Sequence, residues 1–277
     1  MNEARQPNPY STLPAEGPYD VAIGAALVTM VEPNPGHEHA YNRWYEDDHF
    51  YAGAMAMPWM FAGRRWVATR DLQLLRYPAD SAIADPVTAG CYLTLYWITA
   101  GRYRDHLRWT VATNARLLPD GRVFQERTHI FTAFSDYAGA VYRDGDKGPR
   151  DIHALDHPYK GLVLEVIDSA TSEGRDDLIR WLKEEHLPEQ MAASPAAICT
   201  LFQPFPLPPG ATYVQDVPGG DRRVTIGWFL EDDPRRVWDR FADLSAPVEK
   251  SGLGRVELVA PFIPTIPGTD AYVDELR

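Results

Sequence analysis

Two histidines end closely similar seven-residue segments, and imidazole is the side chain that exchanges protons most readily near neutral pH. Residues 43–49 read RWYEDDH and residues 180–186 read RWLKEEH, a shift of 137 positions from 43 to 180. At the same shift Pro58 falls on Pro195, and the apolar run 26–31 falls on 163–168. The sequence therefore predicts an internal repeat with one histidine at the end of each matched helix.

His49 is the first candidate for a general acid or base. On a helix, Tyr45 shares its face and Tyr41 lies about one turn further back, so phenol hydroxyls would accompany the imidazole. Asp48 can orient the ring, and Trp44, further round the helix, is a candidate substrate contact. A structural histidine that interacts with the helix dipole is the alternative, and the repeat does not decide between the two.

The second copy of the repeat has fewer side chains that could assist acid–base chemistry. His186 has Leu182 and Lys183 on its helix face and no aromatic partner there. It is retained as a second catalytic candidate, but the first half of the chain is predicted to hold the active site.

The strand predicted after the first helix carries adjacent arginines. Alternation along a strand directs one of Arg64 and Arg65 inward, where it could hold a carboxylate, phenolate or enolate. A surface pair is the alternative. Tyr96, His129 and Trp59 are further candidates for contact with the substrate, although aromatic residues more commonly fill a core.

Composition excludes several classes of function. A net charge of −12 argues against a nucleic-acid partner. No apolar run is long enough to span a membrane. Cys91 and Cys199 lie in apolar runs and are predicted to be buried free thiols, which favours a cytoplasmic location. No metal spacing, Walker A loop or other nucleotide, flavin or serine-hydrolase fingerprint is present, so neither a metal nor an organic cofactor is predicted.

The order of predicted elements is the same in both halves. Residues 21–142 contain four strands and two helices in the order β-α-β-β-α-β, and residues 151–277 repeat it, which is the ferredoxin-like unit. The first half has strands at 21–31, 61–69, 91–99 and 128–135 and helices at 37–56 and 102–117. The second has strands at 161–168, 197–203, 223–230 and 255–262 and helices at 174–193 and 234–244. Ser172 is the predicted N-cap of the third helix, and Pro234 suits the first turn of the fourth.

A ferredoxin-like sheet has helices on one face only, so its other face must be buried against another element. An α+β fold is therefore predicted in which two ferredoxin-like lobes pack sheet to sheet as an intrachain dimeric α/β barrel. Residues 1–20 form a leader, 143–150 a linker, and the segment 261–277 a strap across the other lobe. The long connections 70–89 and 204–221 are either lids or plain surface loops.

The two helix ends resemble the signature of EthD-like proteins, in which aromatic and acidic residues precede a histidine, often followed by an apolar residue and proline. The second copy keeps that ending in Leu187 and Pro188 but has Leu182 where an aromatic residue is usual. The first has Phe50 and Tyr51 where Leu-Pro is usual. The resemblance implies a pocket between helices and sheet for a small, apolar, often aromatic compound.

These observations predict a cofactor-independent enzyme that uses histidine acid–base chemistry on a small aromatic or polyketide-like compound. A lyase of the retro-aldol type comes first, with an isomerase or cyclase beside it. The alternatives are a cofactor-free monooxygenase or a haem enzyme of the wider superfamily that the resemblance to EthD-like proteins implies, and a non-catalytic small-molecule-binding protein. Apart from its substrate, the expected partner is a second copy of the chain in a homodimer.

Overall fold

The computed structural model describes residues 21–192, 194–206 and 219–277. The predicted leader 1–20 lies outside this range, and so does most of the predicted loop 204–221.

Eight antiparallel strands form one closed barrel. The first half supplies β1 (Ile23–Pro33), β2 (Met60–Val67), β3 (Tyr92–Thr99) and β4 (Arg127–Tyr142), in the spatial order β4-β1-β3-β2. The second half supplies β5 (Gly161–Ser169), β6 (Ala196–Pro204), β7 (Arg223–Leu230) and β8 (Gly254–Pro264), in the equivalent order β8-β5-β7-β6. The predicted fold class, two ferredoxin-like lobes in an intrachain α/β barrel, is confirmed.

Two seams close the barrel, and they differ in length. Strands β4 and β6 pair from Ser135 opposite Pro204 to Tyr142 opposite Ile198. Strands β2 and β8 pair through Trp66 with Pro264 and Val67 with Ile263. The lobes therefore join along the edges of their sheets, while the open faces of the sheets meet inside the barrel.

Helices cover the outer face of each half. The first half has α1 (Glu38–Trp44), α2 (Arg70–Gln73) and α3 (Tyr103–Leu117), and the second has α4 (Arg175–Trp181), α5 (Leu187–Met191), α6 (Pro234–Val237) and α7 (Ser245–Ser251). Helix α1 continues as a π-helix over Tyr45–Met55, and α4 continues as one over Leu182–His186 before α5. Both repeated histidines thus lie in π-helical turns. Such turns are rare in proteins, and those that occur are often found at functional sites. None of the helices described is both long and apolar enough to cross a membrane.

Aromatic rings from both halves fill the barrel. Trp97 of β3 lies 5.2 Å from Phe202 of β6 and 6.4 Å from Phe229 of β7, measured between ring centroids. The connection between the halves also enters this core through Leu155 and Tyr159, both buried. Cys91 and Cys199 are buried and free, as predicted.

Several predicted boundaries are wrong. Strand β4 extends past 135 to Tyr142, because its second part pairs with β6 of the other half. Helix α4 begins at Arg175 with Gly174 as N-cap, while the Ser172 hydroxyl donates to Asp221. The helix predicted at 234–244 is instead α6, a 3₁₀ turn and α7. Pro234 does occupy the first turn of α6.

The repeat has an irregular shift. Helix α1 (Glu38–Trp44) lies at the 137-residue shift from α4 (Arg175–Trp181). The strand faces do not follow it. Leu27 and Thr29 face the helices, whereas in β5 the helix-facing residues are Val163 and Ile167. Because side chains alternate between the two faces of a strand, β1 and β5 must be related by an even number of residues, whereas α1 and α4 are related by 137. The connection from strand to helix therefore differs in length between the halves by an odd number of residues.

The segment after β8 holds α1 in place. Arg43 donates to the carbonyl oxygen of Thr269 at 2.7 Å, and Asn42 donates to Asp270 at 2.8 Å. Arg277 pairs with Glu38 at 2.8 Å. The first half also has a segment that packs on the second half, the connection 70–89. There Tyr77 forms a β-bridge with Val259, and Ser81 donates to the carbonyl of Glu257.

Candidate functional site

A cavity of about 520 Å³ lies between the sheet and the helices of the first half. Helix α1 with its π-helical continuation forms one wall, α3 a second, and β1, β3 and β4 the floor. Its surface is largely apolar and aromatic. Of the residues predicted for the site, it brings together Tyr41, Tyr45, His49, Tyr96 and His129.

His49 stacks on Trp44. Their ring centroids are 4.3 Å apart with planes inclined by 20°, and Tyr45 meets the imidazole edge-on at 5.2 Å. The stacked pair is five residues apart because a π-helix aligns i with i+5. The second half repeats it, with Trp181 4.8 Å from His186 and the same 20° inclination. Trp44 is therefore a direct support of the imidazole rather than a residue further round the helix.

The protonation of His49 is set by its surroundings. Among the described residues its Nδ1 is buried without a hydrogen-bond partner, whereas Nε2 is not buried in this way. Since His49 lines the cavity, we take Nε2 as the ring nitrogen available to a ligand. Burial first, and the positive charge of Arg127 second, lower the pKa of His49 to about 3. The imidazole is therefore neutral at physiological pH and has a free lone pair, but the lowered pKa also makes it a weak base while the cavity is empty. Gly53 makes room for the ring, since a Cβ there would lie 2.4 Å from Nδ1.

Two phenols bridge helix and sheet beside this imidazole. The hydroxyls of Tyr45 and Tyr96 are 2.7 Å apart, and burial raises the pKa of Tyr96 well above its usual value. Burial also raises the pKa of Tyr41. In a pair of neutral hydroxyls one O–H donates to the other oxygen, so the second hydrogen remains available to a ligand.

A chain of polar groups crosses the floor of the cavity. The Arg127 Nε donates to His129 Nε2 at 3.2 Å, so the ring proton is on Nδ1, which donates to Thr132 Oγ1 at 2.8 Å. Thr132 in turn lies 2.8 Å from the Thr29 hydroxyl. Burial, followed by the charge of Arg127, lowers the pKa of His129 to about 4. His129 is thus a neutral link with both ring nitrogens engaged.

Arg127 is a cavity residue that the sequence analysis missed. Its guanidinium carbon lies 4.6 Å from the centre of the Trp44 ring. It directly precedes the strand predicted from 128, and the two-residue period that places His129 on the cavity face would also have placed Arg127 there.

Both predicted arginines serve the fold instead. Arg64 donates to the carbonyl oxygens of Leu155 at 3.3 Å and His157 at 2.5 Å, at the connection between the halves. Arg65 faces α1 but pairs with buried Glu46 at 2.5 Å, and its guanidinium carbon lies 4.3 Å from the Tyr45 ring centre. Neither is among the residues that line the cavity in the part of the chain that the structure describes.

Three more candidates, besides Trp44, are not among its lining residues. Asp48 pairs with Arg122 at the surface. Trp59 packs in a satellite cluster around Met57 and Met60. His186 is buried in the second half, where burial lowers its pKa to about 4 and a core containing Trp228 and Phe241 fills the space between helices and sheet. In the ranges described, no group of three or more His, Cys, Asp or Glu side chains is arranged to hold a metal ion.

Comparison with known proteins supports the fold. No family model matches the sequence, and no curated protein matches it. Among solved structures, an anthrone oxidase-like protein superposes with a TM-score of 0.54 at 10% identity, over 88% of this chain and 92% of the other. A DypB variant from Rhodococcus jostii RHA1 in complex with heme gives 0.52 at 12% identity, over 88% and 93%. A chlorite dismutase-like protein gives 0.50 at 12% identity, over 92% and 100%. These proteins share the dimeric α/β-barrel fold with this chain.

Proposed function

We propose that this protein is an enzyme that removes a proton from a flat aromatic or polyketide-like carbonyl compound bound in the cavity of the first half, with His49 as the base. The observation that carries the proposal is the neutral, desolvated imidazole supported by Trp44 in an aromatic-lined cavity of about 520 Å³. Pockets of this size and character suit small apolar ligands.

The chemistry follows from the position of each group. The ring of the substrate packs among the apolar walls, and His49 Nε2 accepts the proton next to the carbonyl. The electron pair moves to the carbonyl oxygen, which becomes an enolate or phenolate. The free hydroxyl hydrogen of the Tyr45–Tyr96 pair supplies a donor to that oxygen, and such donors are most effective in a site without water.

Three reactions pass through this enolate, although the proton that His49 accepts differs among them. The enolate can be reprotonated elsewhere, as in an isomerase, or attack a second carbonyl, as in a cyclase. It is also the leaving fragment of a retro-aldol cleavage, in which the base removes a hydroxyl proton as the C–C bond breaks. We place the lyase first because it needs only a base and a donor to the developing oxyanion.

Cofactor-free oxygenation is the second candidate, favoured by the fold shared with an anthrone oxidase-like protein. The same deprotonated ring would give its electrons to O₂. A methylene would become a carbonyl that keeps one oxygen atom, and the other atom would leave as water.

Haem chemistry fits these residues poorly. A histidine that ligates a metal almost always donates its other ring N–H to an acceptor. His49 Nδ1 is buried without such an acceptor, and His186 Nε2 is buried and unpaired within a packed core. We therefore assign no step to haem. A Soret band in the purified protein would overturn this reasoning.

The proton transfer can be measured without knowing the natural substrate. Anthrone in deuterated buffer under nitrogen exchanges its acidic methylene protons, which NMR follows directly. We expect the native protein to accelerate exchange, and His49→Gln to reduce the acceleration by about 10²- to 10⁴-fold. His186→Gln is the matched control and should retain the native rate.

Three outcomes decide between the alternatives. If folded His49→Gln exchanges the methylene protons as fast as the native protein, the assignment of the base is wrong. Admitting O₂ then separates the candidates, because an oxygenase consumes it and forms the quinone, whereas a lyase, isomerase or cyclase does not. Binding of anthrone without any acceleration would favour a carrier.

A further inference from the structure

Arg127 is a positive charge in the cavity, and no carboxylate in the ranges that the structure describes pairs with it. Within those ranges its one hydrogen bond to a side chain joins Nε to the neutral His129. Nη1 is buried without a partner, and Nη2, which has none among the described residues, is the terminal nitrogen left open to the cavity. Other buried guanidinium groups have acceptors for their terminal nitrogens: Arg223 pairs with Asp168 at 2.8 Å, Arg65 pairs with Glu46 at 2.5 Å, and Arg76 donates to the carbonyl oxygens of Ala89 and Gly90.

An unpaired cation in such a place is unfavourable to the fold. Removing a charge from water is costly unless an opposite charge or a full set of acceptors replaces the water. Arginine cannot relieve the cost by losing its proton. The ring of Trp44 compensates in part, since its face attracts a cation, but it supplies no acceptor for the N–H groups.

We infer that the natural ligand of this cavity is an aromatic compound bearing an anionic oxygen, a carboxylate or an ionised phenol, which Arg127 binds through Nη2. The inference rests on the proposed function, since it names the substrate class of the same site. A carboxylate or phenolate is the acceptor that a guanidinium binds most strongly. The aromatic body follows from the walls, where Tyr41, Phe124 and Phe134 line the cavity.

The anion also acts on the base. The charge of Arg127 is the second cause, after burial, of the lowered pKa of His49. An anion bound to Arg127 neutralises that charge and brings the pKa of His49 back towards its usual range. The imidazole is consequently a stronger base when a charged ligand is in place than when a neutral one is, which selects for anionic substrates in the chemical step as well as in binding.

Binding of matched probes tests the inference. Naphthoate and its neutral amide have nearly the same shape, and calorimetric titration near neutral pH gives both affinities. We expect naphthoate to bind at least about tenfold more tightly than naphthamide. Arg127→Met should abolish this preference while the amide still binds, and Arg127→Lys should retain part of it. A nitro-substituted naphthol, ionised at the same pH, shows whether a phenolate is accepted equally.

The controls separate this inference from the proposed catalysis. Arg122→Met removes a nearby surface arginine that pairs with Asp48 and should leave the preference intact. His49→Gln should also bind naphthoate preferentially, even if proton transfer is lost. Equal affinity of the native protein for naphthoate and naphthamide would overturn the inference, as would a preference that survives in folded Arg127→Met. Neither result bears on whether His49 moves a proton.

Discussion

Gly53→Ala is the smallest change that should disturb the proposed base. A Cβ at Gly53 would lie 2.4 Å from Nδ1 of His49 and 2.5 Å from Cε1. Because favourable contacts between such atoms begin near 3.5 Å, the imidazole must retreat by about 1 Å. A displacement of this size between reacting groups costs roughly 10²-fold in rate.

The assay is the deuterium exchange of anthrone, measured at several probe concentrations. We expect the rate at saturation to fall about 10²-fold in Gly53→Ala, since the ring loses its position relative to the proton it accepts. Affinity for the probe should change far less. The free energy of unfolding should change little, because alanine is more favourable than glycine inside a helix by about 1 kcal/mol. This gain offsets part of the unfavourable contact with the ring.

Two comparisons make the result decisive. Gly148→Ala introduces the same methyl group where nothing lies within 4 Å of it, and it should leave the exchange rate unchanged. In a His49→Gln background, adding Gly53→Ala should bring no further loss. The reasoning is refuted if Gly53→Ala exchanges at the native rate while His49→Gln is slow, since the imidazole would not then be held where the structure shows it.

The remaining predictions concern buried polar groups. Tyr45→Phe leaves the buried Tyr96 hydroxyl unpaired and should lower the free energy of unfolding in urea by about 1–3 kcal/mol. Glu46→Gln removes the charge paired with buried Arg65 and should lower it by about 3–5 kcal/mol. His106 is buried with neither ring nitrogen bonded, and its pKa is lowered from 6.5 to about 4. The unfolded state therefore binds one more proton between these values, so stability is lost as the pH falls through this window. His106→Phe should flatten that dependence by about 1.4 kcal/mol per pH unit, measured by urea unfolding at several pH values.

Each of these has its own contrary result. Asp177→Asn removes an exposed partner of Arg180 and should change stability by less than about 1 kcal/mol, so an effect as large as that of Glu46→Gln would contradict the distinction between buried and surface pairs. Tyr45→Phe combined with Tyr96→Phe should be less costly than the sum of the two single changes. An unaltered pH dependence in His106→Phe would mean that this imidazole is protonated in the folded state.

The topology could be predicted from the sequence because its signals are periodic. Alternating apolar residues mark the strands, and the RWxxxxH repeat fixes two equivalent halves with one order of elements. The second part of β4, up to Tyr142, carries no such signal because its partner is β6 of the other half. Long-range pairing of this kind depends on how the halves meet, which local propensity does not contain.

The site was predictable only in part. The helical period places Tyr45 on the face of His49, but no sequence signal announces the π-helix that stacks His49 on Trp44. The positions of the two predicted arginines have a different explanation. In a closed barrel both faces of a strand are buried, one by helices and one by the opposite sheet. Alternation directed Arg64 and Arg65 to opposite faces, and each is used to hold elements together rather than to hold a ligand.

The unequal seams follow from joining two barrel halves in one chain. A two-fold symmetric dimer repeats every contact, so both of its seams have the same length. Here β4 and β6 share a long edge while β2 and β8 meet through Trp66 and Val67. We therefore expect local opening of the barrel at the short seam. The amide hydrogen of Val67 should exchange with solvent sooner than the amide hydrogens around Val141. Because the two halves are joined in one chain, their sequences need not stay equivalent. The second half has a packed core between helices and sheet, whereas the first half keeps a cavity there.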